Sequence, residues 1–157
     1  MNSGASFSED RKYRFSLWRV WDDSKPLIHF VMLNPSTADE TDNDPTVERC
    51  KRRAEQNGYG GLIVTNIFAY RSTEPKELKK CLDPIGFCND SHIIDASRMA
   101  KDTICGWGKY GEYLDRGARV LDLLKFWGIK VKALRVNKGG TPAHPLYIGY
   151  DVKPRSL

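Results

Sequence analysis

Four places in the sequence carry polar or aromatic groups of types suited to chemistry: Asn34 beside Pro35, Asn66, Trp107 beside Gly108, and His144 in Thr141-Pro142-Ala143-His144-Pro145. Asn34 is an amide and not a carboxylate, so it cannot be a strong general base; it can hold and orient a water. His144 lies between prolines that restrict the backbone and help aim its ring. That setting fits a preorganised donor over a pocket; the alternative is a histidine that bonds a neighbouring carbonyl and merely pins its loop. Asn34, Asn66 and His144 are expected to reach one planar ligand, with Pro35 and Ser36 in the same loop as Asn34. Phe68 and Tyr70 follow Asn66 closely and either stack on that ligand or fill the core.

Arg49, Arg71 and Lys138 are candidate phosphate contacts, and Gly139, in Asn137-Lys138-Gly139-Gly140-Thr141, lets the chain approach a nucleic-acid backbone closely. Read blandly, the three cations are solvated surface charges. The net charge of +5 suits a polyanionic partner, DNA or a nucleotide, without requiring one. The acidic run Asp39, Glu40, Asp42 and Asp44 has ligands for Mg2+, but Asp44 reads better as a helix cap and no matching carboxylate cluster occurs elsewhere. His29, His92 and His144 are too scattered to nominate a zinc site, and His29 sits in an apolar strand as a structural residue. No metal or cofactor is expected. Cys50, Cys81, Cys88 and Cys105 form no C-x-x-C pair and read as reduced, mostly buried thiols of a cytoplasmic protein. Neither a signal region nor a membrane-length apolar run is present.

The elements that would position these groups follow from hydrophobic patterning. Tyr13, Phe15 and Leu17 alternate with Arg14 and Ser16, predicting a half-buried strand over 13–21 at one edge of a sheet. Near-continuous apolar runs at Leu27–Leu33, Leu62–Asn66, Thr103–Trp107 and Ile129–Leu134 predict strands covered on both faces. Between them fall a helix capped by Asp44 with Pro45 at its first position, a short helix near 76–80, a helix capped by Asn89, and an amphipathic helix from Arg116 to Trp127. Strands alternating with helices predict an α/β three-layer sandwich with a mainly parallel central sheet. Residues 1–12 are expected to form a flexible terminus and residues 13–157 a single α/β domain. In such a sheet the ligand crevice lies beyond the carboxyl ends of the strands, where Asn34, Asn66, Trp107 and His144 all fall.

Several blocks carry a family resemblance over nearly the whole chain: Met32-Leu33-Asn34-Pro35-Ser36-Thr37-Ala38, Asp44-Pro45-Thr46, Thr65-Asn66-Ile67-Phe68-Ala69-Tyr70-Arg71, Asn89-Asp90 and Thr141-Pro142-Ala143-His144-Pro145-Leu146-Tyr147. Through them the chain resembles a bacterial and phage family called domain of unknown function 1643. The order of its motifs also resembles that of the uracil-DNA glycosylases: an Asn-Pro loop, a strand ending in Asn, a strand ending in Trp-Gly and a late His-Pro. That second resemblance implies a glycosylase-like fold and hydrolysis of the N-glycosidic bond of a damaged or modified base. Asn34 would then handle the water, Asn66 would read a flipped base, and His144 would support the base as charge develops on it. The alternative is a module of the same fold that holds nucleic acid or a nucleotide without cutting it. Leu146-Tyr147 after His144-Pro145 departs from the Ser-rich DNA-probing loop of those enzymes.

Overall fold

A computed structural model describes residues 2–157. Seven strands form one mixed sheet: β1 (Asn2–Phe7), β2 (Arg14–Val20), β3 (Leu27–Met32), β4 (Gly61–Asn66), β5 (Asp102–Cys105), β6 (Val131–Ala133) and β7 (Arg155–Ser156). Their order is β1-β2-β4-β3-β5-β6-β7. The inner strands β4, β3, β5 and β6 run parallel, whereas β1, β2 and β7 join antiparallel at the two sides. The sheet is therefore mixed where a mainly parallel one was expected. The three helices are α1 (Pro45–Gln56), α2 (Asn89–Met99) and α3 (Arg116–Phe126), with 3-10 turns at Pro75–Lys80, Lys109–Asp115 and Pro145–Tyr147.

Strand alternation divides the apolar residues between two clusters. Ile28, Phe30 and Met32 of β3 pack with Leu62 and Val64 of β4 and with Val47, Cys50 and Ala54 of α1. Val31 joins Ile93 of α2, Val120 and Leu124 of α3, Cys105 and Trp107 in the other cluster. β3 is buried along almost its whole length, as its apolar run demands. Asp44 caps α1 as its sequence indicates: its Oδ1 accepts from the Val47 amide at 2.9 Å, and Pro45 opens the helix.

Four expectations need correction. Residues 2–7, read as part of a frayed terminus, form β1, so β2 is not the sheet edge. The segment has no apolar alternation of its own; pairing with β2 holds it, and Gly4 lies directly against the Trp18 ring. The alternation along β2 is also broken. Ser6 pairs with Ser16 but Phe7 with Arg14, so Phe15 is an extra residue in a bulge. The extra residue puts the side chains that precede it, Arg14 among them, out of step with those that follow. Arg14, assigned to the polar side, is therefore buried at 2% exposure. Asn89 is not the cap of α2: Cys88 holds that position with φ 61°, and Asn89 donates its side-chain amide to the carbonyls of Asn66 (2.8 Å) and Ile67 (3.3 Å). Finally, the four thiols are free, but only Cys50 and Cys105 are buried, while Cys88 is exposed.

Among the described residues no helix is long and apolar enough to cross a membrane. His29, in the middle of β3, is fully buried, with Nδ1 3.0 Å from the Ser97 hydroxyl and Nε2 2.7 Å from that of Thr65. It is a structural histidine, and Thr103 extends the chain of hydroxyls by donating to Ser97 at 3.2 Å.

Candidate functional site at the carboxyl ends of the parallel strands

The parallel register brings the motif loops to one end of the sheet. Met32 pairs with Asn66 and Val31 with Cys105, so the segments that begin at Leu33, Ile67 and Gly106 leave the sheet side by side. Backbone bonds continue the alignment beyond the strands: Ile67 donates to Met32, Phe68 to Leu33 and Gly106 to Val31. The late His-Pro segment is fastened to the same end. Gly108 donates to the Pro142 carbonyl at 2.8 Å, and a Cβ placed on Gly106 would meet Pro145 at 2.9 Å. Only glycine permits that approach. His144 itself lies beside Gly108, its Cβ 3.8 Å from where a Cβ on that glycine would stand.

Asn34 is half-buried, and its amide nitrogen donates to the Ser72 carbonyl at 3.0 Å and the Pro35 carbonyl at 3.3 Å. With the nitrogen so engaged, its carbonyl oxygen is the group left to accept a hydrogen bond. Pro35 is buried and Ser36 half-buried; the Ser36 carbonyl accepts from Arg71 Nε at 3.2 Å. Asn66 is 2% exposed, and its Nδ2 is buried with no hydrogen-bond partner among the described residues. His144 accepts from the Leu146 amide through Nδ1 at 3.2 Å, capping the turn Pro145–Tyr147. That bond places the imidazole proton on Nε2 and makes the ring a donor on its other side. Burial lowers the His144 pKa from its ordinary 6.5, and the nearby Asp44 carboxylate opposes this in part. The ring is therefore neutral at pH 7.

The aromatic positions serve mostly as packing. Phe68 is fully buried, its ring 5.8 Å from that of Tyr113. Tyr70 is half-buried and stands edge-on to Tyr13 at 5.7 Å. Trp107 is 2% exposed and clasped by two glycines: a Cβ on Gly111 would lie 2.0 Å from its Cδ1, and one on Gly117 2.5 Å from its Nε1. Neither side of the indole has room to yield. Gly111→Ala is expected to destabilise the protein by about 1–3 kcal/mol through overpacking. Urea denaturation measures this, and an alanine variant as stable as the parent would show that the ring has space.

Of the proposed backbone contacts, Arg49 is already engaged: it donates to the Ile148 carbonyl at 2.6 Å and lies over the Tyr150 ring. Arg71 is tied to Ser36 and to the Arg11 carbonyl and lies over Phe7. Lys138 and Gly139 are exposed in a turn closed by the Gly140 amide on the Asn137 carbonyl. Three of the four carboxylates of the acidic loop are committed internally. Asp39 accepts from the amides of Thr41 and Asp42, Glu40 pairs with Arg11, and Asp44 caps α1. Buried Arg19 gathers this loop by donating to the carbonyls of Asp39, Glu40 and Asp42 and to Asn43 Oδ1.

Two groups escape sequence reasoning. Asn89 fastens α2 to the exit of β4, and its role was hidden because Asn before a helix normally signals a cap. Arg14 is hidden by the bulge, for which no sequence signal is evident.

These features define an α/β protein whose open sheet gathers the Asn34 loop, Asn66 and the His144 loop at the carboxyl ends of its parallel strands, the end at which such sheets hold their ligand crevice. The chain belongs to the family described as Protein of unknown function (DUF1643), whose model matches residues 14–146. Neither the curated proteins nor the solved structures searched contained a match.

Proposed function

We propose that this crevice takes a nucleobase and that the protein hydrolyses the N-glycosidic bond of a damaged or modified base in DNA. The observation that carries the reading is Asn66 Nδ2, a buried donor without a partner at the end of β4. Leaving such a group unmade costs about 1–3 kcal/mol, and a ligand acceptor at that position removes the penalty. A base carbonyl is an acceptor of the right kind, and entry of a base requires it to leave the stack. With α1 on one face of the sheet and α2 and α3 on the other, we read the fold as a three-layer sandwich of the uracil-DNA glycosylase kind.

In this mechanism the C–N bond to the sugar breaks and its electron pair goes to the base. His144 Nε2–H and Asn66 Nδ2–H donate to the base as negative charge grows there, so both bonds strengthen in the transition state. The Asn34 carbonyl accepts from a water and aims it at the sugar carbon, where its oxygen forms the new C–O bond while the proton it loses passes through solvent to the departing base. Asn34 only orients that water; an amide cannot deprotonate it, and the carboxylates of Asp39, Glu40 and Asp44 already accept hydrogen bonds.

That last point favours a second reading, a module that holds a nucleotide without cutting it. One experiment separates the two. Duplex and single-stranded oligonucleotides carrying varied bases are incubated with the protein, and abasic sites are revealed by alkaline cleavage. Cleavage at one class of base supports the enzyme. Binding without abasic product across a broad panel selects the module, and absence of both binding and cleavage refutes the nucleotide reading.

A further inference from the structure

Four arginines are buried among the described residues: Arg14, Arg19, Arg53 and Arg116. A guanidinium carries five N–H donors and a full charge, and burying it is costly unless those donors are matched. Three of the four give at least two hydrogen bonds each, although Arg53 Nε is left without a partner. Arg19 donates to Asn43 and to a ring of carbonyls from Gly4, Trp18, Asp39, Glu40 and Asp42. Arg53 donates to the carbonyls of Ile148, Gly149 and Val152. Arg116 donates to the Ile67 carbonyl and pairs with the Asp90 carboxylate.

Arg14 differs. It is 2% exposed, yet its only side-chain hydrogen bond among the described residues is Nη1 to the Ala38 carbonyl at 3.2 Å. Its Nε, like that of Arg53, is buried with no partner, and among the described residues it forms no ion pair. Desolvation brings its pKa down only to about 10, so the group is a cation at neutral pH. Asp44 is the acidic neighbour that stabilises this charge, but the oxygens of Asp44 already accept from the amides of Val47 and Ala38. Arg71 and Arg19 add positive potential around Arg14. The Ala38 carbonyl that Arg14 holds lies in the loop that follows Asn34 at the end of β3, so Arg14 is joined to one of the segments of the site.

We infer that Arg14 binds a phosphate oxyanion of the ligand, an assignment that rests on the nucleotide reading above. The Ser36–Ala38 segment is held by Arg71 on the Ser36 carbonyl and by Arg14 on the Ala38 carbonyl, so two cations flank it. A planar guanidinium with unmet donors matches a tetrahedral oxyanion, and charge-assisted bonds of this kind are about twice as strong as neutral ones. The phosphate comes from one of two sources, the phosphodiester beside a flipped nucleotide or the monophosphate of a free nucleotide.

The test uses the full chain and measures affinity for nucleosides, their 5′-monophosphates, inorganic phosphate, and oligonucleotides with a natural or a methylphosphonate linkage beside the target nucleotide. The expected result is at least tenfold tighter binding of the phosphate-bearing probe, lost in Arg14→Gln while nucleoside affinity is kept. Weakening by the methylphosphonate assigns the phosphate to the nucleic-acid backbone; preference for monophosphates alone assigns it to a free nucleotide. A preference that survives in Arg14→Gln, or a parent protein indifferent to phosphate, overturns the assignment while leaving the nucleotide reading intact. If nothing containing a base binds, the nucleotide reading falls, and inorganic phosphate decides for Arg14: binding that Arg14→Gln abolishes upholds the anion site, and no binding overturns it. Should Arg14→Gln not fold, the Arg14 Nε–H resonance of the parent protein is followed during phosphate titration; a shift supports the assignment and an unmoved signal overturns it.

Discussion

His144→Ala lowers kcat for base release by roughly 10²-fold or more, the usual scale for removing a donor that acts in the transition state. The fold survives, because the ring's hydrogen bond in the protein is a local one to the Leu146 amide, two residues away. Loss of that cap loosens the short turn Pro145–Tyr147, but Pro142 and Ala143 remain fixed by their bonds to Gly108 and Arg135. The pH profile distinguishes donor from pin. The histidine pKa lies below 6.5, so the reactive neutral form persists as pH falls through 6.5. At lower pH, protonation of Nδ1 breaks the Leu146 bond, and the rate then falls together with the loop's order. A single-turnover series from pH 8 to pH 5 measures both limbs. Unchanged turnover in a folded His144→Ala protein eliminates the catalytic role and leaves His144 as a loop pin.

The parts of the structure legible in the sequence are those for which burial dictates residue type on its own. β3, β4 and β5 are enclosed on both faces, so their runs are mostly apolar and stand out without any partner being known. Asp44-Pro45 is equally local: an acceptor followed by a residue lacking N–H satisfies the first turn of α1 by itself. The edges of the sheet are a different matter. Asn2–Phe7 has polar and small residues whose strand character comes from β2, and Arg155–Ser156 is held only by pairing with β6. No local pattern records such dependence. Chain order alone placed Asn34 and Asn66 at neighbouring strand ends, because strand ends in an alternating α/β chain must gather at one side. The tertiary facts stayed hidden: that Asn66 Nδ2 lacks a partner, that Asn34 is turned by Ser72, and that Phe68 and Trp107 are enclosed. Arg14 was the hardest of all. Its inward face depends on one extra residue in β2, and shifting that register by one would return it to solvent.

Acid unfolds this protein early, and His29 is the main reason. Its ring is enclosed in the sheet between the Thr65 and Ser97 hydroxyls, and desolvation drives its pKa from 6.5 down to about 3. In the unfolded chain the same histidine takes up a proton near pH 6.5. The folded state therefore binds fewer protons throughout the interval between the two values, and stability drops as pH falls below 6.5 and continues to drop until about 3. One proton over one pH unit is worth about 1.4 kcal/mol, so His29 alone removes about 2 kcal/mol between pH 8 and pH 5. His92 and His144 are also lowered by burial, and each pushes stability in the same direction. Urea denaturation at closely spaced pH values measures the total slope. In His29→Gln the slope below pH 6.5 should be shallower by close to one proton, whatever the variant loses in stability at pH 8. A slope identical to that of the parent protein would show that His29 is not the group that titrates. The ring can also be watched directly by NMR, where its carbon-bound protons should stay at their neutral shifts down to at least pH 4.5, while those of an unfolded reference peptide move at 6.5.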